Sequence, residues 1–352
     1  MKGRDKINSA AVFALTERGA GLAAKIAAAI GPAEVFNPAA LANGGLKKEA
    51  AKAFKGSEAL VFISATGIAI RSVAPLLKGK HLDPAIVVVD ERGRFSISLL
   101  SGHMGGANKL AGVVAKAIGA TPVITTATDV WGLPSAEELA GSFSLVIEDP
   151  KKIKAVNSAI LERAKVFVVD GNAARRKETA KRFKGVFTCR RALPKKPGPK
   201  DACIVISSRV EPIPPELAGR TLVLRPREIA VGVGCGKGVP KAMIKKALVE
   251  TFAAARLSTL SIRNFATIDI KKNEKGLKAL AKELGVPIEV YSAAGLNRVN
   301  GPFLLSSAVM KATGARAVAE PSAIISSGAK KLCIRKTKTG HVTIAAALIP
   351  SR

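Results

Sequence analysis

A histidine, His103, lies in the stretch SGHMGGANKL (101–110), among three glycines and an asparagine, between the apolar run FSISLL and the helical period KLAGVVAKAIG. Imidazole titrates near neutrality, so it can act as a general base or hydrogen-bond a substrate. Gly102, Gly105 and Gly106 let a backbone approach a ligand closely. The amides opening the next helix, with Ser101 and Asn108 beside them, form a ready anion site. The alternative is a turn histidine with a structural role. His81 and His341 stand at no metal-binding spacing from it. The stretch fits neither G-x-G-x-x-G nor G-x-S-x-G, so it is a poor dinucleotide fingerprint and a poor nucleophile elbow.

Other loops carry candidate groups. ATGIAIRSVAPLL sets Thr66 and Gly67 at a strand end, with Arg71 one turn into a helix, either as a two-pronged carboxylate grip or as an ordinary surface arginine. TTATD supplies Thr125, Thr126, Thr128 and Asp129 at another strand end, where open α/β sheets bind ligands. Asp129 reads equally as a base or a helix cap. VGVGCGKG has Lys237 where a Rossmann fingerprint needs glycine, and it is no P-loop. Its Gly234, Cys235 and Gly238 backbone and Lys237 can still cradle an anion. Asp269 and Lys271, two apart at the end of an expected strand, share one face. Glu320, in AVAEPSA, is either a partly desolvated base or an N-terminal helix charge. Cys189, Cys203, Cys235 and Cys333 show no CxxC spacing, which points away from zinc and disulfides.

Positioning these groups requires strands that alternate with helices. SAAVFALT precedes ERGAGLAAKIAAAI, EALVFISA precedes TGIAIRSVAPLL, and DPAIVVVDERGRFSISLL reads as two strands around a turn. TPVITTATD reads as a further strand. The rhythm weakens after Asp129 and returns at IAVGVGCGKG. A helix is expected from near Pro240, another between Asn273 as N-cap and Gly285 as stop, and a terminal hairpin turning at Thr339-Gly340. The expected fold is α/β and multidomain: strand–helix alternating modules with mostly parallel sheets. An N-terminal α/β module (1–130) carries SGHMGGAN and a C-terminal α/β module (226–352) carries GVGCGKG. A smaller, variable middle α/β segment (131–225) joins them.

The chain has 352 residues, 48% of them hydrophobic, enough for several cores. No apolar run has the length of a membrane span, and the N-terminus reads as a first strand rather than a signal peptide, so the cytoplasm is the expected compartment. Fifty-six Lys and Arg against 26 Asp and Glu give a net charge of +30, spread along the whole chain. Such a field attracts polyanions, whether nucleic acid, anionic lipid or a many-carboxylate small molecule. One Trp and one Tyr leave little for stacked single-strand bases. Residues alone leave a nucleic-acid binder, a small-molecule enzyme and a non-catalytic scaffold open.

Taken in order, the stretches from ATGIAIRSV through SGHMGGANKL to VITTATD, followed by VGVGCGKG, ATIDIKKNEKGLKALAKELGVP, AVAEPSA and the terminal VTIA, resemble the CbiG-type cobalamin-biosynthesis family, the cobalt-precorrin-5A hydrolases. The resemblance implies hydrolysis of a δ-lactone on a contracted cobalt macrocycle, with the extruded meso carbon leaving as acetaldehyde. It implies no cofactor of the protein's own and no protein metal site, since the substrate carries the cobalt. The partners it implies are the polycarboxylate corrinoid and other enzymes of that pathway, with no nucleic acid and no membrane. His103 enters the site on this reading, with Asp129, Asp269 and Glu320 as candidate bases. The glycine loops, Arg71, Lys237 and Lys271 become carboxylate contacts. A corrinoid carrier without hydrolysis is the alternative.

Overall fold

A strand that is apolar at every position needs cover on both faces, which a parallel sheet flanked by helices provides. A computed structural model describes residues 7–42, 45–79, 82–103, 105–305 and 307–350; His81 and Met104 lie outside them. The fold is mixed α/β with three sheets whose strand pairings are mostly parallel, as the strand–helix alternation predicts. The chain divides into two compact units: residues up to Gly141 together with Ile160–Glu162, and Ser142–Ala159 with the chain from Arg163 onward.

The first unit holds β1 (Ala10–Ala14), β2 (Ala33–Phe36), β3 (Ala59–Ile63), β4 (Ala85–Val89), β5 (Phe95–Leu100) and β6 (Thr121–Val123), in the order β2-β1-β3-β4-β5-β6. Alternate residues feed two cores. Val12, Val61, Ile63 and Val87 face helices Glu17–Ile30 and Ala107–Ile118 through Ile26, Leu110 and Val114. Phe13, Leu60, Phe62 and Ile86 pack with Ala50, Ala69 and Val73 of helices Leu46–Gly56 and Thr66–Val73. Phe13 stacks on both Phe36 and Phe62 with centroids 4.8 Å apart. Truncating a buried phenylalanine such as Phe62 costs about 3–5 kcal/mol.

One reversal positions the site. β1 to β4 run parallel, but β5 turns back antiparallel on β4, with Val89 opposite Ser96 and Ile86 opposite Leu100. β6 then runs parallel to β5. The chain therefore leaves β5 and β6 at the edge where β1, β3 and β4 begin. β6 spans three residues instead of the longer strand expected through TTATD. Pro122 offers no ladder N–H on this edge strand, and the chain turns at Ala127–Val130 into a helical turn.

The second unit contains two sheets. β7 (Val146–Ile147), β8 (Val166–Asp170), β9 (Phe187–Arg190), β10 (Ala202–Ile206) and β11 (Thr221–Arg225) lie in the order β7-β11-β10-β8-β9. β12 (Ile229–Cys235), β13 (Ile262–Ile268), β14 (Ile288–Tyr291), β15 (Ile334–Thr339) and β16 (Val342–Leu348) lie in the order β14-β13-β12-β16-β15. Ser258 and Val210 amides, donating to Ser208 and Arg256 carbonyls at 2.8 Å, stitch the two sheets' loops together. A helix follows Pro240, Gly285 ends the helix Lys275–Leu284, and the terminal hairpin turns at Gly340, all as expected. Glu274, not Asn273, occupies the N-cap position of Lys275–Leu284.

Candidate functional site

The loop after β5 closes on itself. Ser101 takes a left-handed conformation (φ +61°), and Gly105 lies so close beneath it that a Cβ there would overlap the Ser101 side chain. Glycine is required at that contact. The amides of Ala107 and Asn108 donate to the carbonyls of Ser101 and Gly102 at 3.1 and 3.0 Å. This corrects the expectation of an open anion site at the start of the helix: its first two amides are spent on the loop.

The closed loop brings His103 against the turn after β6. His103 Nε2 lies 2.9 Å from Thr128 Oγ1 and 3.3 Å from Asp129 Oδ2. Asn108 Nδ2 donates to the same Asp129 oxygen at 3.0 Å and to Thr126 Oγ1 at 3.1 Å, while Ser98 Oγ donates to Asn108 Oδ1 at 2.6 Å. Asn108 is buried, and these bonds tie its amide to Asp129, Thr126 and Ser98, so it positions Asp129. The side chains of His103 and Asp129 remain 22% and 36% exposed, open to a reactant. A carboxylate beside Nε2 favours the tautomer protonated there, which leaves the Nδ1 lone pair to accept a proton. Asp129 would then stabilise the imidazolium that forms.

Other candidates fall elsewhere. Thr66 and Gly67 stand at the C-terminal end of β3, across the sheet from the exits of β5 and β6. Arg71, in the last turn of its helix, folds its guanidinium back on the Gly67 carbonyl at 3.3 Å. The structure does not bring these three together with His103. Thr125 precedes Thr126, the N-cap position of the turn Ala127–Val130.

In the second unit the glycine loop follows β12. Gly232, still within β12, meets the helix Ala319–Ser327 at the Ala319 carbonyl, where any side chain would collide, so that glycine serves packing. The Gly238 amide donates to Glu274 Oε1 at 2.7 Å, and Lys271 Nζ donates to Glu274 Oε2 at 3.2 Å. Burial pushes the Glu274 carboxyl up, but the Gly238 amide and the Lys271 ammonium outweigh it and hold it below the usual glutamate value. Lys237 is exposed beside it. Burial pushes the Cys235 thiol up against the pull of Lys271, so it is no activated nucleophile.

One expectation is corrected here, while Glu320 keeps its reading as a charge in the first turn of a helix, Ala319–Ser327. Asp269 and Lys271 do not share a strand face, because Asp269–Lys271 is a 3-10 turn beyond the end of β13. Asp269 Oδ1 caps the Ile270 amide at 2.7 Å, while Lys271 turns to Glu274. Glu320 is 2% exposed, and its oxygens accept from the Leu304 amide (3.0 Å) and the Lys336 amide (3.2 Å). That makes it a brace between a loop and the edge strand β15.

Sequence reading missed two participants, Ser98 and Glu274. Ser98, alternating within an apolar strand, gives no signal. Glu274 follows Lys271 at helical i,i+3 spacing, a readable pairing once that segment is known to turn. Among the described residues no group of three or more His, Cys, Asp or Glu side chains is placed to hold a metal ion, and no helix is long and apolar enough to cross a membrane.

Three family models match in chain order: cobalamin synthesis G N-terminal over residues 48–129, cobalamin biosynthesis central region over 134–226, and cobalamin synthesis G C-terminus over 229–347. A cobalt-precorrin-5A hydrolase of Priestia megaterium is 31% identical over 97% of this chain and 95% of its own. One of Salmonella typhimurium is 35% identical over 90% of this chain and 92% of its own. The crystal structure of a cobalamin biosynthesis protein G homologue from Sulfolobus solfataricus aligns over 97% of both chains at 24% identity, with a TM-score of 0.38. His103, Asn108 and Asp129 all fall inside the N-terminal match, and the chain belongs to the CbiG family of cobalamin-synthesis proteins.

Proposed function

We propose that the chain is an enzyme that hydrolyses cobalt-precorrin-5A, opening its δ-lactone and releasing the extruded meso carbon as acetaldehyde to give cobalt-precorrin-5B. Family membership supports the substrate. The observation that carries the chemistry is the contact of His103 Nε2 with Thr128 and Asp129 beside an accessible imidazole.

On this reading His103 takes a proton from water as it attacks the lactone carbonyl, and Asp129 offsets the charge that the ring gains. The ester C–O bond breaks, freeing a carboxylate and a hydroxyl on the meso carbon. Loss of the hydroxyl proton then forms the C=O of acetaldehyde and breaks the bond from the meso carbon to the macrocycle, so that this carbon leaves with its methyl group and the conjugated macrocycle takes up the electron pair of the broken bond. Cobalt is part of the substrate. The distributed positive charge of the protein suits a polycarboxylate ligand.

Hydrolysis in heavy-oxygen water tests the reaction type. One labelled oxygen is expected in the carboxylate freed from the lactone. Corrinoid bound with neither label nor acetaldehyde would replace the hydrolase with a carrier.

A further inference from the structure

Trp131 is the single tryptophan of the chain, and 70% of it is open to solvent. Indole carries a large apolar surface with one polar N–H, which is why Trp is enriched at contact surfaces. Val130, beside it, is 63% exposed.

Its placement is specific. The turn Ala127–Val130 contributes Thr128 and Asp129 to the His103 cluster, and Trp131 follows directly. Three backbone bonds fix the exit of that turn: Trp131 N–H to the Ala127 carbonyl at 3.1 Å, Gly132 N–H to Asp129 at 3.0 Å, and Leu133 N–H to Thr128 at 2.8 Å. The indole is therefore tied through a short, hydrogen-bonded turn to the residues that hold the imidazole. An exposed aromatic side chain two residues along the chain from Asp129 suits a ligand with a flat conjugated body and a reactive polar edge.

We propose that Trp131, with Val130, is the platform against which the conjugated face of the macrocycle rests when it is captured beside His103 and Asp129. This rests on the hydrolase reading and names the contact that reading lacks. Cations can hold the carboxylate rim, but they offer a flat apolar face nothing comparable. The indole takes no part in proton transfer, so its removal weakens capture of the substrate and leaves the chemical step in place.

Steady-state kinetics with cobalt-precorrin-5A, kept anaerobic and read as acetaldehyde, test this. Trp131→Ala is expected to raise KM about tenfold with kcat within about twofold, and Trp131→Phe to recover most of the loss. Val249→Ala, on the exposed face of helix Lys241–Ala254 (48% exposed), is the control and leaves both constants unchanged. Should the alanine variant not fold, Trp131→Gln keeps bulk without the aromatic face. An unchanged KM, or a fall confined to kcat, overturns the platform while native turnover leaves the hydrolase standing. A native protein that makes no acetaldehyde overturns both.

Discussion

The Asp129 carboxylate stands 3.3 Å from His103 Nε2, although the two residues come from different loops. The β4–β5 reversal sends the exits of β5 and β6 to the same edge, and the closed glycine loop fixes where the imidazole points. Replacing Asp129 with Asn keeps the shape but removes the charge that stabilises imidazolium. Asp129→Asn is expected to lower kcat by about 100- to 10,000-fold with little change in KM or melting temperature. Acetaldehyde kinetics beside a thermal melt check this.

Asn108 acts through Asp129. Asn108→Ala strips partners from the Ser98 hydroxyl, Thr126 and Asp129 together, so stability is expected to fall by about 1–3 kcal/mol along with kcat. Asn108→Asp sets a second carboxylate against Asp129. The like charges repel across that contact, and kcat and melting temperature are both expected to fall. A substrate contact would show in KM instead.

Glu320 makes the opposite case. Its oxygens hold two backbone amides in the interior, and Glu320→Ala leaves both amides without that acceptor. Destabilisation of about 3 kcal/mol is expected by denaturant unfolding. Acetaldehyde turnover by the folded fraction changes by no more than about threefold. A loss of many orders of magnitude in kcat at unchanged stability would return Glu320 to the role of base.

These outcomes follow a line between what residue types reveal and what the fold decides. The strand–helix alternation was legible, because β1, β3, β4 and β8 are short, apolar and β-branched or aromatic. His103 stood out because three glycines surround it. Its partner Asp129 was legible as a polar group near a strand end, but the pairing depended on the β4–β5 reversal, which periodicity does not encode. The same reversal separates Thr66 and Gly67 from His103, though all lie just beyond strand ends. Asp269 and Lys271 were misread because the apolar run of β13 continues into a turn without a breaker. Glu320 gave a charge among small residues, and the amides that donate to it belong to Leu304 and Lys336, each 16 residues away in sequence.

The clamp on the second glycine loop makes its own prediction. The Glu274 carboxyl is held below its ordinary value of 4.5 in the folded protein, so its contribution to stability is complete above that pH. The contribution is lost as pH falls through the lower folded value. Melting temperature is expected to drop on the acid side of about pH 4.5, and Glu274→Gln to flatten that drop while lowering the plateau. A variant that melts like the native protein at every pH would remove the clamp.

The most direct measurement is acetaldehyde formation from cobalt-precorrin-5A under anaerobic conditions, by the native protein and by His103→Ala. The cluster predicts release by the native protein and at least about a 100-fold slower rate in the variant, with corrinoid still bound. Equal rates from the two proteins would contradict it and move the proton transfer away from His103 and Asp129.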